Sequence, residues 1–195
     1  MTSAARTTPR FLARSAQALI AAAAVADMFR GVAVRDHNLH HTAASLNRSG
    51  LISMIFVYLM TLATVLFLVW LARSRRNAQA LSPEAAVPSR GWLIGAWFIP
   101  VVNLFAPRRV VLDIGRAGSA SWGQRETTLV NLWWGAWVAH ALLLTAASRV
   151  APGSLPCLVL TEALMLAAAV LAALVIERVT ALQGAAPTVP ATPQT

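Results

Sequence analysis

The run Gly91-Trp92-Leu93-Ile94-Gly95-Ala96-Trp97-Phe98-Ile99-Pro100-Val101-Val102-Asn103-Leu104-Phe105-Ala106-Pro107 decides how this chain is disposed. It is apolar enough for a bilayer interior, but a helical crossing takes about 20 residues. Pro100 and Asn103 interrupt its middle. Backbone groups freed by such an interruption are tolerated within lipid only where other protein covers them. Arg73, Arg75, Arg76 and Arg90 precede the run, and Arg108 and Arg109 follow it. These features predict a segment that dips into a membrane and returns by the same face, or lies along that face.

The rest of the chain supplies the membrane domain this segment needs. Of 195 residues, 57% are hydrophobic and 12% are charged, against about a quarter charged in a soluble domain. The apolar residues gather into blocks at 12–34, 51–71, 128–147 and 156–176. Blocks of about 20 residues indicate transmembrane helices. Residues 1–10 read as a mobile cytoplasmic tail, 11–182 as one transmembrane domain, and 183–195 as a disordered tail. Ala24-Val25-Ala26 also has the form of a signal-peptidase site, so the first block admits a second reading as a cleaved leader. Residues 35–50 and 77–90 read as polar connectors, and 108–126 as a partly amphipathic interfacial stretch.

Arginine placement tests the short segment. If 91–107 does not cross, one side of the membrane holds twelve arginines and the other holds four, Arg30, Arg35, Arg48 and Arg149. If it crosses, the division is even. The excess of positive charge on cytoplasmic loops favours the unequal division. The expectation is a bacterial plasma-membrane protein with both termini in the cytoplasm. Every one of the 16 basic residues is arginine and the net charge is +9. Guanidinium binds phosphate bidentately, so anionic lipid headgroups on the cytoplasmic side are the expected partner. A membrane protein or a second copy of the chain is a further expected partner. Nucleic acid is not, because the arginines flank apolar blocks instead of forming one soluble face. All seven tryptophans fall toward the cytoplasmic half, where they read as an interfacial belt or as an aromatic groove for lipid or peptide.

Three runs resemble a known family. They are Trp70-Leu71-Ala72-Arg73 leading to Arg76-Asn77; Gly91-Trp92, Gly95, Trp97-Phe98-Ile99-Pro100, Asn103-Leu104 and Pro107; and Asn131-Leu132-Trp133-Trp134 with Trp137. Together they look like the membrane family of domain of unknown function 4328, largely actinobacterial, over roughly residues 12–182. Ala72 stands where an aromatic is common, and Gly115 where a tryptophan is common, which implies weaker anchoring of the amphipathic stretch. The resemblance implies an integral membrane protein and brings no activity or catalytic residue. It marks Arg73, Arg76, Asn77, Trp92, Trp97, Pro100 and Asn103 as a candidate interface motif.

Depth places a second group. At about 1.5 Å per residue, His140 reaches roughly 20 Å from the start of its block and Glu162 roughly 9 Å from the start of its own. Asp27 and Tyr58 fall at matching depth. The four residues are expected to converge as an intramembrane polar layer, serving either structure or a proton or solute pathway. Asp36, His37, His40 and His41 could face one another on a helix and seat a metal, or form a solvated face. Ala163/Ala167, Ala168/Ala172 and Ala169/Ala173 have the spacing of close helix packing. Cys157 stands alone, which excludes an intrachain disulfide. No phosphate loop, nucleophile elbow or paired metal-binding histidine motif is present, so neither cofactor nor catalysis is expected. The expected fold is all-α and membrane-integral, with four spans and a re-entrant or interfacial segment between the second and third. The expected role is a non-enzymatic scaffold or accessory protein, with a small solute or proton-coupled transporter as the alternative.

Overall fold

Helices run well past the apolar blocks at both ends, because a polar residue keeps its backbone hydrogen bonds in a helix even where its side chain has left the lipid. The computed structural model describes residues 10–95, 97, 99 and 102–185. All regular structure among them is helical: α1 (Arg10–His40), α2 (Ala43–Leu81), a short α3 (Arg90–Gly95), a 3₁₀ turn (Val102–Leu104), α4 (Ala106–Gly118), α5 (Gln124–Val150) and α6 (Leu155–Ala185). α1, α2, α5 and α6 are each long and apolar enough to cross a membrane.

Residues 35–50 are therefore a tight helical corner, not a connector. His41 adopts a left-handed conformation at φ 50°. Thr42 then caps α2, accepting from the Ser45 amide at 3.1 Å while Ser45 Oγ accepts from the Thr42 amide. α2 likewise consumes the front of the predicted 77–90 loop and stops at Ser82, just before Pro83. α5 starts at Gly123, whose amide donates to the Glu126 carboxylate at 2.9 Å. The α5–α6 hairpin turns through Pro152 and Gly153, the latter at φ 87°, a conformation that favours glycine. α6 continues through Gln183 to Ala185, so the chain is still helical where a disordered tail was expected. The predicted tails otherwise lie outside the described residues.

The four long helices run up and down in alternation. α1 packs against both α2 and α6, and α5 packs against α6. Arg14 near the start of α1 meets Glu177 near the end of α6 at 3.2 Å. At the opposite end Arg35 Nε donates to the Gly153 carbonyl at 2.8 Å, joining the two hairpins. Residues Arg10 and Ala185 thus lie at one end, here called the arginine end, and the α1–α2 and α5–α6 corners at the other, the hairpin end. Small residues let α1 and α6 approach. Ala16, Ala23 and Ala24 of α1 and Ala168 and Ala172 of α6 are buried. Of the three alanine pairs, Ala168/Ala172 packs inside, whereas Ala163 and Ala167 are exposed.

Among the described residues α2 and α5 meet where Phe67 lies against Trp133, ring centroids 5.8 Å apart. α4 wedges between them at the arginine end, burying Val110, Val111 and Ile114. Arg109 and Arg116 point outward from the opposite face, so the amphipathic stretch is a helix laid against the bundle. Both ends of the segment 88–118 are held at one level. The Pro88 carbonyl accepts from Arg75 Nε. Gly118 lies against Gln183, whose Nε2 donates to the Ser74 carbonyl at 2.9 Å. Between these ties Trp97 packs on Phe67 with ring centroids 5.5 Å apart, about 10 Å further along α2 by helical rise. The segment goes into the bundle and comes out by the same end.

Outward faces are apolar. Leu51, Met54, Tyr58, Leu62, Val65 and Val69 form one exposed stripe down α2. Such a surface is stable in lipid and an aggregation hazard in water.

Candidate functional site

α1, α5 and α6 meet at a buried polar cluster. Asp27 is 0% exposed. Its Oδ1 accepts from Arg30 Nε at 2.6 Å, one helical turn on. Its Oδ2 faces His140 Nε2 at 3.7 Å. The other ring nitrogen of His140, Nδ1, lies 3.0 Å from the Thr161 carbonyl oxygen. Thr161 turns its own hydroxyl back to the Cys157 carbonyl at 2.7 Å. Glu162, the next residue, is 8% exposed, and its Oε2 is buried without a hydrogen-bond partner. Gly31 makes room for it, since a methyl group there would strike Glu162 Oε1 and Leu158. The Arg30 guanidinium also stacks over Phe56, 4.8 Å from the ring centroid.

Three of the four residues placed by depth are thus brought together, and Tyr58 is not. Tyr58 is 63% exposed on the outer stripe of α2. Depth follows from rise alone, whereas orientation follows the 100° step of the helix. Tyr58 lies nine residues from buried Ser49, which puts it on the opposite side. Phe56 takes the inward position instead. The sequence reading also left Arg30 among the loop charges, although its spacing from Asp27 marks a one-turn pair.

A cleft of about 90 Å³ leads from the hairpin end to this cluster, lined by Arg35, Asn38, Gly153, Cys157, Arg30 and Glu162. On the other side of the Asp27–His140 pair lies an apolar cavity of about 90 Å³, walled by Phe67, Trp97, Trp133, Trp134, Trp137 and Met165. Trp137 lies against His140, ring centroids 6.2 Å apart. The space toward the hairpin end therefore carries charged side chains, and the space behind Trp137 carries none among the described residues.

The tryptophans are mostly not a belt. Trp70, Trp133 and Trp134 are buried. Trp70 Nε1 donates to Thr180 Oγ1 at 3.0 Å, and Trp134 Nε1 to the Leu104 carbonyl at 2.9 Å. A buried indole needs such an acceptor, and here the acceptors staple α2 to α6 and the 3₁₀ turn to α5. Gly115 is also not a lost anchor. The Trp122 ring lies against it, in space any side chain at 115 would occupy, and Trp122 Nε1 reaches Thr127 Oγ1 at 3.2 Å. A tryptophan from the next turn fills the place.

The interface motif separates into two kinds of residue. Trp97 packs against Phe67 and Trp134, and Asn103 is half-buried, with its Oδ1 buried and unpartnered. Arg73 and Arg76 are exposed, Asn77 is half-buried and Trp92 is 46% exposed. Pro100 lies outside the described residues. The buried arginine here is Arg75, outside the motif, which holds Pro88 and donates to Gln79 at 3.0 Å. Arg108 Nε donates to Asn131 Oδ1 at 2.7 Å, tying α4 to α5. On α4, burial raises the Asp113 carboxyl above its ordinary value, with Arg109 and Arg116 opposing the shift. At the hairpin end the histidines serve the corner: His37 Nδ1 lies 3.0 Å from Ser45 Oγ, and His40 Nδ1 3.0 Å from the Asp36 carbonyl. Among the described residues no group of histidine, cysteine or carboxylate side chains is placed to hold a metal.

Fold and surface define an all-helical, multi-pass membrane protein with a polar cluster inside its bundle. The chain belongs to the family described as Domain of unknown function (DUF4328), whose model matches residues 34–181. The match is narrower than the resemblance read from the sequence, and it begins inside α1, beyond Asp27 and Arg30. His140, Glu162 and the whole interface motif fall within it. No curated protein and no solved structure matches the chain.

Proposed function

We propose that this is a non-enzymatic accessory protein of the bacterial plasma membrane that binds anionic lipid headgroups at its arginine end. One observation carries the reading. α4 buries its apolar face in the bundle and turns Arg109 and Arg116 outward, at the same end as exposed Arg73, Arg76 and Arg125. Each arginine near an anionic surface contributes about 1 kcal/mol of attraction. The excess of arginine supports a cytoplasmic position for this end, with both termini. The rim would then hold the protein in register with the bilayer and present Trp92 and the outer face of α4 to a membrane partner or a second copy.

The test is lipid retention. The protein extracted from mixed nanodiscs should retain phosphatidylglycerol over phosphatidylcholine. The variant Arg73→Gln/Arg76→Gln/Arg109→Gln/Arg116→Gln should lose that preference. Equal retention of both lipids by the unaltered protein would contradict the reading.

A second reading, a small-solute or proton-coupled transporter, is favoured by the cleft that opens onto Glu162. Flux in proteoliposomes that disappears with Glu162→Gln would support it.

A further inference from the structure

The Asp27–His140 pair is one proton short of a stable arrangement. A carbonyl oxygen only accepts, so the 3.0 Å contact with Thr161 requires His140 Nδ1 to carry hydrogen. A neutral ring then presents a bare Nε2 lone pair to Asp27 Oδ2, 3.7 Å away. Two buried acceptors facing each other at this separation are costly, and a proton on either atom turns the contact attractive.

The surrounding charges leave room for that proton. α1 contributes Asp27 and Arg30, with Arg35 at the mouth of the cleft holding the Gly153 carbonyl. α5 contributes His140, and α6 contributes Glu162 with Cys157 further out along the cleft. α2 contributes the Phe56 ring over Arg30. Arg30 pairs with Asp27 Oδ1 alone. Among the described residues, Asp27 Oδ2 and Glu162 Oε2 are both buried without a hydrogen-bond partner. With His140 neutral, the inner group of Asp27, Arg30 and Glu162 carries one uncompensated negative charge, which a single proton cancels.

We propose that Asp27, His140 and Glu162 form a proton-binding site loaded from the hairpin end, with Glu162 as the group that receives the proton from the cleft. A hydronium ion in the cleft gives its proton to a Glu162 carboxylate oxygen and leaves as water. The proton is shared onward with the Asp27–His140 pair, and release reverses both steps with no redox change. Access is one-sided, because the cavity behind Trp137 is lined by no titratable side chain among the described residues. This site does not depend on the arginine rim. A transporter would need it, but proton binding at equilibrium needs no flux.

The test is infrared difference spectroscopy of the full-length protein in vesicles of one orientation, with membrane-impermeant buffers. In an Asp36→Asn/Asp113→Asn background, mild acidification of the hairpin side should produce a carboxylic-acid C=O band, and mild acidification of the arginine side alone should not. Glu162→Gln should abolish the band or slow its appearance at least tenfold, and Asp27→Asn should remove or shift it. Nitrogen-15 shifts of His140, isolated by His37→Gln/His40→Gln/His41→Gln, should show Nδ1 protonated throughout. The side dependence is read with Asp27, His140 and Glu162 intact, so it holds even where a variant at one of these three fails to fold. A band that is absent, that follows the arginine side, or that is unchanged in folded Glu162→Gln and Asp27→Asn would overturn the proposal. Absent flux alongside a one-sided band would reject only the transporter.

Discussion

His140 Nε2 faces Asp27 Oδ2 at 3.7 Å, while Thr161 holds the opposite ring nitrogen at 3.0 Å. One imidazole is thereby hydrogen-bonded to α6 and faces a buried carboxylate of α1 whose only charged hydrogen-bond donor is Arg30 among the described residues.

Arg30→Met should cost about 3–5 kcal/mol, the usual consequence of leaving a buried charge without its partner. The double variant Asp27→Asn/Arg30→Met should recover much of that loss, because no bare charge remains. Thermal unfolding in detergent measures both. Equal losses in the single and double variants would mean that the pair is not the source.

Two glycines should respond in opposite directions. Gly31→Ala drives a methyl group into Glu162 and Leu158 and should destabilise by about 1–3 kcal/mol. Gly50, also within a helix, has open space around it. Gly50→Ala should stabilise by about 0.5–1 kcal/mol, through helix propensity alone. The same melts check both, and a neutral Gly31→Ala would mean that α1 and α6 are further apart.

Gly115→Leu should expel the Trp122 ring from its seat on α4. The loop 119–123 should then exchange its amide hydrogens faster, and the melting temperature should fall. Unchanged exchange would show that the ring does not rest there.

Asp113 gives the docking of α4 a pH dependence. Burial raises its pKa, so the folded state binds the proton more tightly than the unfolded state. Stability therefore increases as pH falls through the raised pKa, and the gain is complete below the ordinary carboxylate value. Asp113→Asn should flatten that part of the profile and stabilise the protein at neutral pH. Arg109→Gln should steepen it, by removing an opposing charge. Melting temperatures from neutral to mildly acidic pH, with each variant beside the unaltered protein, read the effect.

The four spans were legible because bilayer thickness fixes the length of an apolar block, and the one-sided segment because arginine counts are sensitive to a single crossing. Depth found Asp27, His140 and Glu162, since rise per residue does not depend on neighbours. It failed for Tyr58, because orientation around a helix depends on which helices flank it. The tryptophan belt failed for the same reason. Trp70 shares a face with buried Phe67, Ser74 and Ala78, and that face became the inner one once α4 and α6 packed against it. Gly115 could not be interpreted from its own position, since Trp122 fills the space from another part of the chain.

The account rests on the segment 91–107 leaving the membrane by the face it enters. With Cys157 replaced by serine, single cysteines at Ser82 and Ser119 can be labelled by a membrane-impermeant maleimide in sealed, oriented vesicles. Both should react from the same side, the side from which a cysteine at Arg10 also reacts. Reaction of Ser82→Cys and Ser119→Cys from opposite sides would mean that the segment crosses, and the four-span arrangement would be wrong.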